Sequence, residues 1–179
     1  MRRFAEQGYR ATSLSAIARE SGVTPAAVYP YFHDKERLFL AAFDADASAQ
    51  LDSALPADVS ALPTWIGLLP RIVDGLTRHP LARRVFEGRE PDLTPRLLEL
   101  PSAVRLRDAL EQALRTAQRA GIARADIDPA LMAVGLQTIV LSTLLAAIQA
   151  RVMQDPQRRD SLLAVIVAAL RAPGGVPGA

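Results

Sequence analysis

The chain has no cysteine, one tryptophan, one lysine and two histidines among its 179 residues. Without cysteine there is no disulfide framework, no thiolate metal site and no cysteine nucleophile. His33 adjoins Asp34 and His79 precedes Pro80, and neither has the i,i+4 partner or carboxylate spacing of a metal site. No G-x-S-x-G elbow and no glycine-rich phosphate loop occurs. These gaps argue against an enzyme, and no cofactor or metal is expected. Net charge is only +2, little for a nucleic-acid partner. At 50% apolar and 22% charged residues the chain is nonetheless too apolar to be disordered. No secretory signal is visible, because Arg2, Arg3 and Glu6 precede any apolar run, so a cytoplasmic protein is expected. One uncharged stretch, Pro129 to Ala150, has the ~20-residue length that can cross a bilayer. It contains Gln137, Thr138, Ser142, Thr143 and Gln149, and reads as a helix buried within or between soluble subunits, with no membrane partner.

What is abundant points one way. There are 32 alanines and 25 leucines, both strong helix formers, so an all-α protein is expected. Basic residues are 20 Arg and the single Lys35. Seven of the nine aromatics (Phe4, Tyr9, Tyr29, Tyr31, Phe32, Phe39 and Phe43) fall in the first 43 residues, which marks that quarter as different in kind.

Helix punctuation is frequent. Ser13 can cap a helix running through Ser21, with Gly22 at the position after its end. Thr24-Pro25 is a cap followed by proline at the first helical position. Asp34 can cap a long helix from Lys35 to about Ala54. Prolines then divide the middle into short pieces. Pro101 to Ala120 is amphipathic, with Leu106, Leu110, Ala113, Leu114 and Ala117 on one side and a Glu111–Arg115 pair on the other. Asp128-Pro129 opens a helix to about Met153, and Asp155-Pro156 opens the last, ending near Arg171.

Residues 13–32 thus hold two short helices joined by the tight turn 21–24. A connector this short forces the large crossing angle of a helix-turn-helix unit. Ile17, Ala18, Val23 and Val28 are expected to share a small core. The second helix would then present Pro25, Ala26, Ala27, Tyr29 and Tyr31 outward. Tyrosines two apart cannot share one face, so at least one is exposed. Small apolar side chains at a helix start suit thymine methyls, and tyrosine hydroxyls and a lysine suit phosphate oxygens. Packing into an aromatic core is the alternative for these rings, and is expected of Phe4, Phe32, Phe39 and Phe43.

The run from Phe4-Ala5-Glu6-Gln7-Gly8-Tyr9 through Ser13-Leu14-Ser15-Ala16-Ile17-Ala18, Gly22-Val23-Thr24, Val28-Tyr29, Tyr31-Phe32 and Lys35-Glu36-Arg37-Leu38 resembles the DNA-binding domain of TetR-family transcriptional regulators. About 40 residues match in order. The resemblance implies an N-terminal three-helix helix-turn-helix domain followed by a helical ligand-binding and dimerisation domain. It places Ser13 and Ser15 on phosphates, Thr24, Pro25, Ala26 and Ala27 on bases, and Tyr29, Tyr31 and Lys35 on the DNA backbone. Only three residues precede Phe4, so the first helix is expected to be truncated. Ala26 stands where the family usually has glycine. Pro30 lacks an N–H and crowds the carbonyl of Ala26, so the second motif helix should kink or end early. No Arg or Lys lies in the base-reading stretch, which disfavours bidentate guanine recognition.

These readings divide the chain into a DNA-binding domain (1–43), a ligand-binding and dimerisation domain (44–172) and a flexible tail (173–179). In the second, Leu131, Val134, Thr138, Leu141, Leu145, Ile148 and Val152 recur at alternating steps of 3 and 4, a seam for a partner helix. Leu162, Val165 and Ile166 on the last helix join them as the expected dimer interface. Trp65, Leu69, Ile72, Val85, Phe86, Leu110, Met132 and Ile139 are the candidate ligand pocket, with core packing the alternative for each. With two aromatics in this region, a compact aliphatic or mixed-polarity ligand is expected rather than a flat aromatic cation. Arg83-Arg84, Arg105/Arg107 and Arg158-Arg159 read as solvated faces.

The expected protein is a ligand-responsive repressor. It binds a near-palindromic operator in double-stranded DNA as a homodimer and is released by a small-molecule effector. The alternative is a dimeric helical ligand-binding module whose helix-turn-helix has degenerated. The charge divides accordingly: residues 1–43 hold six basic and four acidic side chains, and residues 44–179 hold fifteen of each.

Overall fold

A computed structural model describes residues 1–58, 65, 67–150 and 155–172 of the protein. Four of its helices begin at a side-chain cap that the sequence supplies. Ser13 Oγ accepts from Ala16 N at 3.2 Å and starts α2 (Leu14–Glu20), and Asp34 Oδ1 accepts from Arg37 N at 2.7 Å and starts α4 (Lys35–Ala54). Asp128 Oδ1 accepts from Ala130 N and Leu131 N at the head of α8 (Pro129–Gln149), and Asp155 accepts from Gln157 N at the head of α9 (Pro156–Leu170). Proline occupies the first helical position of both, as it does in α3 (Pro25–Val28), α6 (Pro80–Phe86) and α7 (Pro101–Arg119). The remaining elements are α1 (Arg2–Ala11), α5 (Leu68–Gly75) and two 3-10 segments, Leu76–Arg78 and Pro91–Glu99. The described residues contain no β-strand; one isolated bridge joins Ala123 to Arg171.

The 20-residue α4 is the axis of the structure. It packs on α1 near its start and on α5, α6 and α7 further along, while α7 and α8 form the largest helix pair. Phe39 on α4 meets Phe4 edge-on at 4.9 Å and Tyr9 at 5.6 Å, and Phe43 meets Phe86 of α6 at 6.1 Å. The early aromatics therefore open a core that continues through Leu81 and Val85, Leu110 and Leu114, and Ala133 and Leu144. Such edge-to-face pairs add about 0.5–1.5 kcal/mol each beyond the area they bury.

Two expectations need correction. Val23 is largely exposed and does not join the motif's small core, because its backbone closes the end of α2 and turns its side chain outward. Helix α8 ends at Gln149, short of Met153. Residues 151–154 and the tail 173–179 lie outside the described residues. Within the single chain, helices α8 and α9 leave apolar side chains exposed, as faces expected to meet a second subunit would be. Leu131 is 66% exposed, Val165 is 67% exposed, and no residue of α9 is fully buried. Among the described residues α8 is the one helix long and apolar enough to cross a membrane, and about a third of it is buried against its neighbours.

Candidate nucleic-acid interface and apolar cavity

Helix α2 closes in a Schellman arrangement: Gly22 N donates to Arg19 O at 3.1 Å and Val23 N to Ala18 O at 3.0 Å. Gly22 takes φ +73°, which glycine adopts without a Cβ penalty. Thr24 then precedes α3, its side chain making no cap bond. This helix is a single turn. Pro30 has no N–H to offer Ala26 O, and the chain turns away with Tyr31 N and Phe32 N both donating to Val28 O at 3.0 Å. The early end expected from Pro30 is observed. Ala18 is buried, Ile17, Val28 and Phe32 are half-buried, and Pro25 is half-buried beside exposed Ala26 and Ala27.

Both tyrosines are exposed, Tyr29 by 54% and Tyr31 by 80%. Ser13 and Ser15 are exposed with their hydroxyls 3.3 Å apart, Ser13 also serving as the cap. Lys35 is half-buried: Nζ donates to Arg10 O at 3.4 Å and stands 4.4 Å from the centroid of the Tyr9 ring. Burial raises the Tyr9 phenol above its ordinary value, and the nearby Glu36 and Asp34 carboxylates add to this, so Tyr9 stays neutral beneath the lysine. Arg37, not singled out from the sequence, is exposed and its guanidinium has no side-chain partner among the described residues.

The structure also shows a set of polar links that tie this region to the rest of the chain. Arg2 and Arg3 both bind Glu20, joining α1 to α2 and holding the carboxylate below its ordinary range. Helix α1 breaks at Gly8 (φ +85°, ψ 174°). The two backbone groups freed there are satisfied: Gly8 O accepts from Thr12 Oγ1 at 2.7 Å, and Tyr9 N donates to Glu90 Oε1 at 3.1 Å. Glu90 also accepts from Arg84 Nε at 2.7 Å, the two side chains only 6% and 17% exposed. Arg84 is therefore not part of a solvated face. It is the half-buried partner of the buried Glu90, which returns under α1. Arg83, Arg105 and Arg158 are exposed as expected and Arg107 and Arg159 are half-buried, each paired with a carboxylate. Arg10 reaches Asp92 at 2.6 Å and Arg96 reaches Glu36 at 3.0 Å, across the same boundary. Deeper, Asp46 of α4 accepts from Leu81 N at 3.0 Å and Ala82 N at 2.9 Å, and contacts His79 Nδ1 at 3.0 Å.

The candidate pocket residues divide among three places. Trp65, Leu69, Leu110 and Ile139 line an apolar cavity of about 350 Å³ between α5, α7, α8 and α9. Ile72 and Phe86 line a separate, smaller space of about 90 Å³ beside Gln50 and Gln137. Val85 and Met132 line neither: Val85 is fully enclosed in the core, and Met132 is buried with its sulfur 3.8 Å from Gln118 Nε2. An apolar residue in this region can serve either role, and helix α6 turns Val85 inward. The α9 side chains Leu162, Ile166 and Leu170 complete the larger cavity, with Thr143 and Arg171 its polar members.

The expected seam on α8 also divides. Leu131, Val134 and Thr138 are exposed, while Leu141, Leu145 and Ile148 pack half-buried against the chain's own core; Val152 lies outside the described residues. On α9, Val165 faces solvent, whereas Leu162 and Ile166 face the cavity.

A capped helix, a Gly-containing turn and a short exposed helix, carried on an all-helical body, define a helix-turn-helix protein. Residues 1–42 match the family model of the bacterial regulatory proteins, tetR family. By that match residues 1–42 are similar to that family's N-terminal domain. The HTH-type transcriptional regulator HbdR of Aromatoleum sp. (strain CIB) is 32% identical over 80 residues, a match spanning 45% of this chain and 28% of that relative's length. A solved TetR family transcription regulator from Marinobacter aquaeolei VT8 superposes with a TM-score of 0.55 at 20% identity, covering 96% of this chain and 91% of the other. The structure of AibR in complex with isovaleryl coenzyme A and operator DNA gives a TM-score of 0.52 at 18% identity, with 96% and 94% covered. At these identities the likeness is one of fold.

Proposed function

We propose that the chain is a ligand-responsive, cytoplasmic transcriptional repressor that binds operator DNA as a homodimer. Residues 1–43 would form its DNA-binding domain, residues 44–172 its ligand-binding and dimerisation domain, and residues 173–179 a tail. The observation that carries this reading is the pair Tyr29 and Tyr31, two large rings held in solvent beside a turn whose core needs neither. AibR, of the same fold, was solved with operator DNA and a small-molecule ligand, which supports both halves of the reading.

In this reading Ser13, Ser15, Tyr29, Tyr31 and Lys35 meet the phosphate backbone. Thr24, Pro25, Ala26 and Ala27 lie against base edges, and specificity rests on thymine methyls and DNA shape. Two such units must sit about 34 Å apart to enter successive major grooves. A ligand in the 350 Å³ cavity borders α5, α7, α8 and α9. Helix α5 is tied to α4 through Gln50 Nε2, which donates to Ile72 O at 2.8 Å, and through Arg71 Nε, which donates to Ala54 O at 2.6 Å. Since α4 begins at Lys35, a shift of its far end alters the spacing of the two DNA units. The ligand acts only through its higher affinity for the non-binding arrangement.

The test is a gel shift with DNA flanking the protein's own gene. Tyr31→Ala and Lys35→Ala are expected to weaken binding across sequences, each lowering the salt slope by about 1. The one-turn α3 favours the second reading, a degenerate, non-DNA-binding module. Absence of salt-dependent binding, even with residues added ahead of Met1, would establish that reading instead.

The dimer has its own test. The exposed apolar Leu131 and Val134 of α8 and Val165 of α9 are proposed to be covered by a second copy. Leu131→Arg combined with Val165→Arg is expected to convert a dimer to a monomer in sedimentation at micromolar concentration without loss of helical signal. A protein monomeric before substitution contradicts the assembly.

A further inference from the structure

The larger cavity carries a more specific chemistry than an unspecified effector. Among the described residues its lining is aliphatic apart from Trp65, Thr143 and Arg171, and no Asp, Glu or Lys borders it. At about 350 Å³ it lies at the small end of ligand sites, which run roughly 300–1,000 Å³. One aromatic ring is too few to sandwich a flat aromatic ligand.

Arg171 sets the polarity. Its backbone is fixed: its N–H donates to Val167 O at 3.2 Å, it bridges to Ala123, and the adjoining Leu170 O accepts from Arg124 N at 2.9 Å. Its side chain is exposed, so it stands where the cavity opens to solvent, and it has no hydrogen-bond or ion-pair partner among the described residues. The neighbouring Arg124 differs, its guanidinium being held by Asp126 at 2.6 Å. A planar cation with five donors, unpaired at the mouth of an apolar chamber without an acid, is matched by a carboxylate on an aliphatic tail.

We propose that this cavity binds a free aliphatic monocarboxylate, its chain among Leu69, Leu110, Ile139, Leu162 and Ile166 and its head group on Arg171. The inference rests on the reading of this cavity as the effector site.

Trp65 is the chain's sole tryptophan and lines the cavity, so its fluorescence reports occupancy directly. The full-length protein is titrated with octanoate, methyl octanoate and octylammonium, in parallel with Arg171→Gln. Octanoate is expected to change the fluorescence at concentrations about tenfold or more below either other probe, and Arg171→Gln is expected to abolish that advantage while leaving the ester's binding unchanged. Equal binding of acid and ester, or an acid that binds Arg171→Gln as tightly as the parent chain, overturns the head-group assignment while leaving the effector site in place. If none of the three probes changes the fluorescence or the gel shift, the effector-site reading falls with it.

Discussion

Gly8→Ala is expected to destabilise the protein by about 3 kcal/mol, a large part of the roughly 5–15 kcal/mol typical of a domain. Two costs add at this position. At φ +85° and ψ 174° the backbone lies in a region open essentially to glycine alone, which costs another residue about 1–3 kcal/mol. A Cβ would also stand 2.3 Å from Arg84 Nη2 and 2.6 Å from Glu90 Oε1. Both ends of the Arg84–Glu90 pair must then move. Glu90 is buried and Arg84 half-buried, and since it is the flexible ends of both side chains that must shift, the cost stays below the about 3–5 kcal/mol of a buried charge left unpaired. Glu90 would also lose its hold on Tyr9 N. Partial relaxation of the arginine keeps the sum below the arithmetic total. For a chain of this size the expected loss corresponds to a fall of about 6–12 °C in Tm. Gly22→Ala is the control, since Gly22 also has a positive φ (+73°) but a Cβ there meets nothing within 4 Å. It should cost only about 1–2 kcal/mol, the conformational part alone. Thermal and urea unfolding of the two variants decide the matter. Equal losses would mean that the Arg84–Glu90 clamp contributes nothing. Gly8, inside the proposed DNA-binding unit and facing Arg84 of α6, thus serves a close approach as well as a turn.

The sequence made much of this architecture legible because helix ends are local. Ser13, Asp34, Asp128 and Asp155 cap helices two or three residues away, and Pro30 ends α3 through the carbonyl four residues before it. A signal confined to one turn survives in sequence order. The clamp does not, since Tyr9 and Glu90 are separated by 81 positions and nothing in Arg83-Arg84 tells which arginine turns inward. The apolar residues show the same limit. In sequence Val85, Met132 and Ile139 are pocket candidates with core packing as the alternative, and whether each faces core, cavity or solvent depends on the crossing of α5 through α9. Leu131 and Leu145 share one seam, yet one is bare and the other packed, because along this face of α8 the chain's own helices cover only the second half. Arg171 escaped notice for the opposite reason. A single charge after the last helix has no pattern, and it became informative only beside a cavity without acids.

Asp46→Ala is expected to cost about 3–4 kcal/mol, and the reason again lies far along the chain. The carboxylate sits on α4, is 5% exposed, and accepts Leu81 N and Ala82 N, the first free donors of α6. Helix α6 has no side-chain cap of its own, since His79 stands at its N-cap without one and Pro80 follows. Asp46 is that cap, supplied from another helix, and its charge complements the positive end of the α6 dipole. Its other oxygen lies 3.0 Å from His79 Nδ1. With the histidine proton on that nitrogen, truncation leaves three donors without their acceptor, each worth about 1–3 kcal/mol when buried, less whatever water can enter. Asp46→Asn keeps one acceptor oxygen and should lose about half as much. His79→Ala leaves both backbone donors satisfied and should lose least. Urea unfolding should therefore rank the variants Asp46→Ala, Asp46→Asn, His79→Ala, with amide exchange at Leu81 and Ala82 accelerated only in the first two. A loss under about 1 kcal/mol for Asp46→Ala would show that α6 caps itself. The rank also bears on signalling. Asp46 lies midway along α4, between Lys35 at one end and Ala54, where Arg71 is held, at the other. If it fixes α6 to α4, then α6, with Arg84 against the break in α1, moves as one body with the helix proposed to set the spacing of the two DNA units.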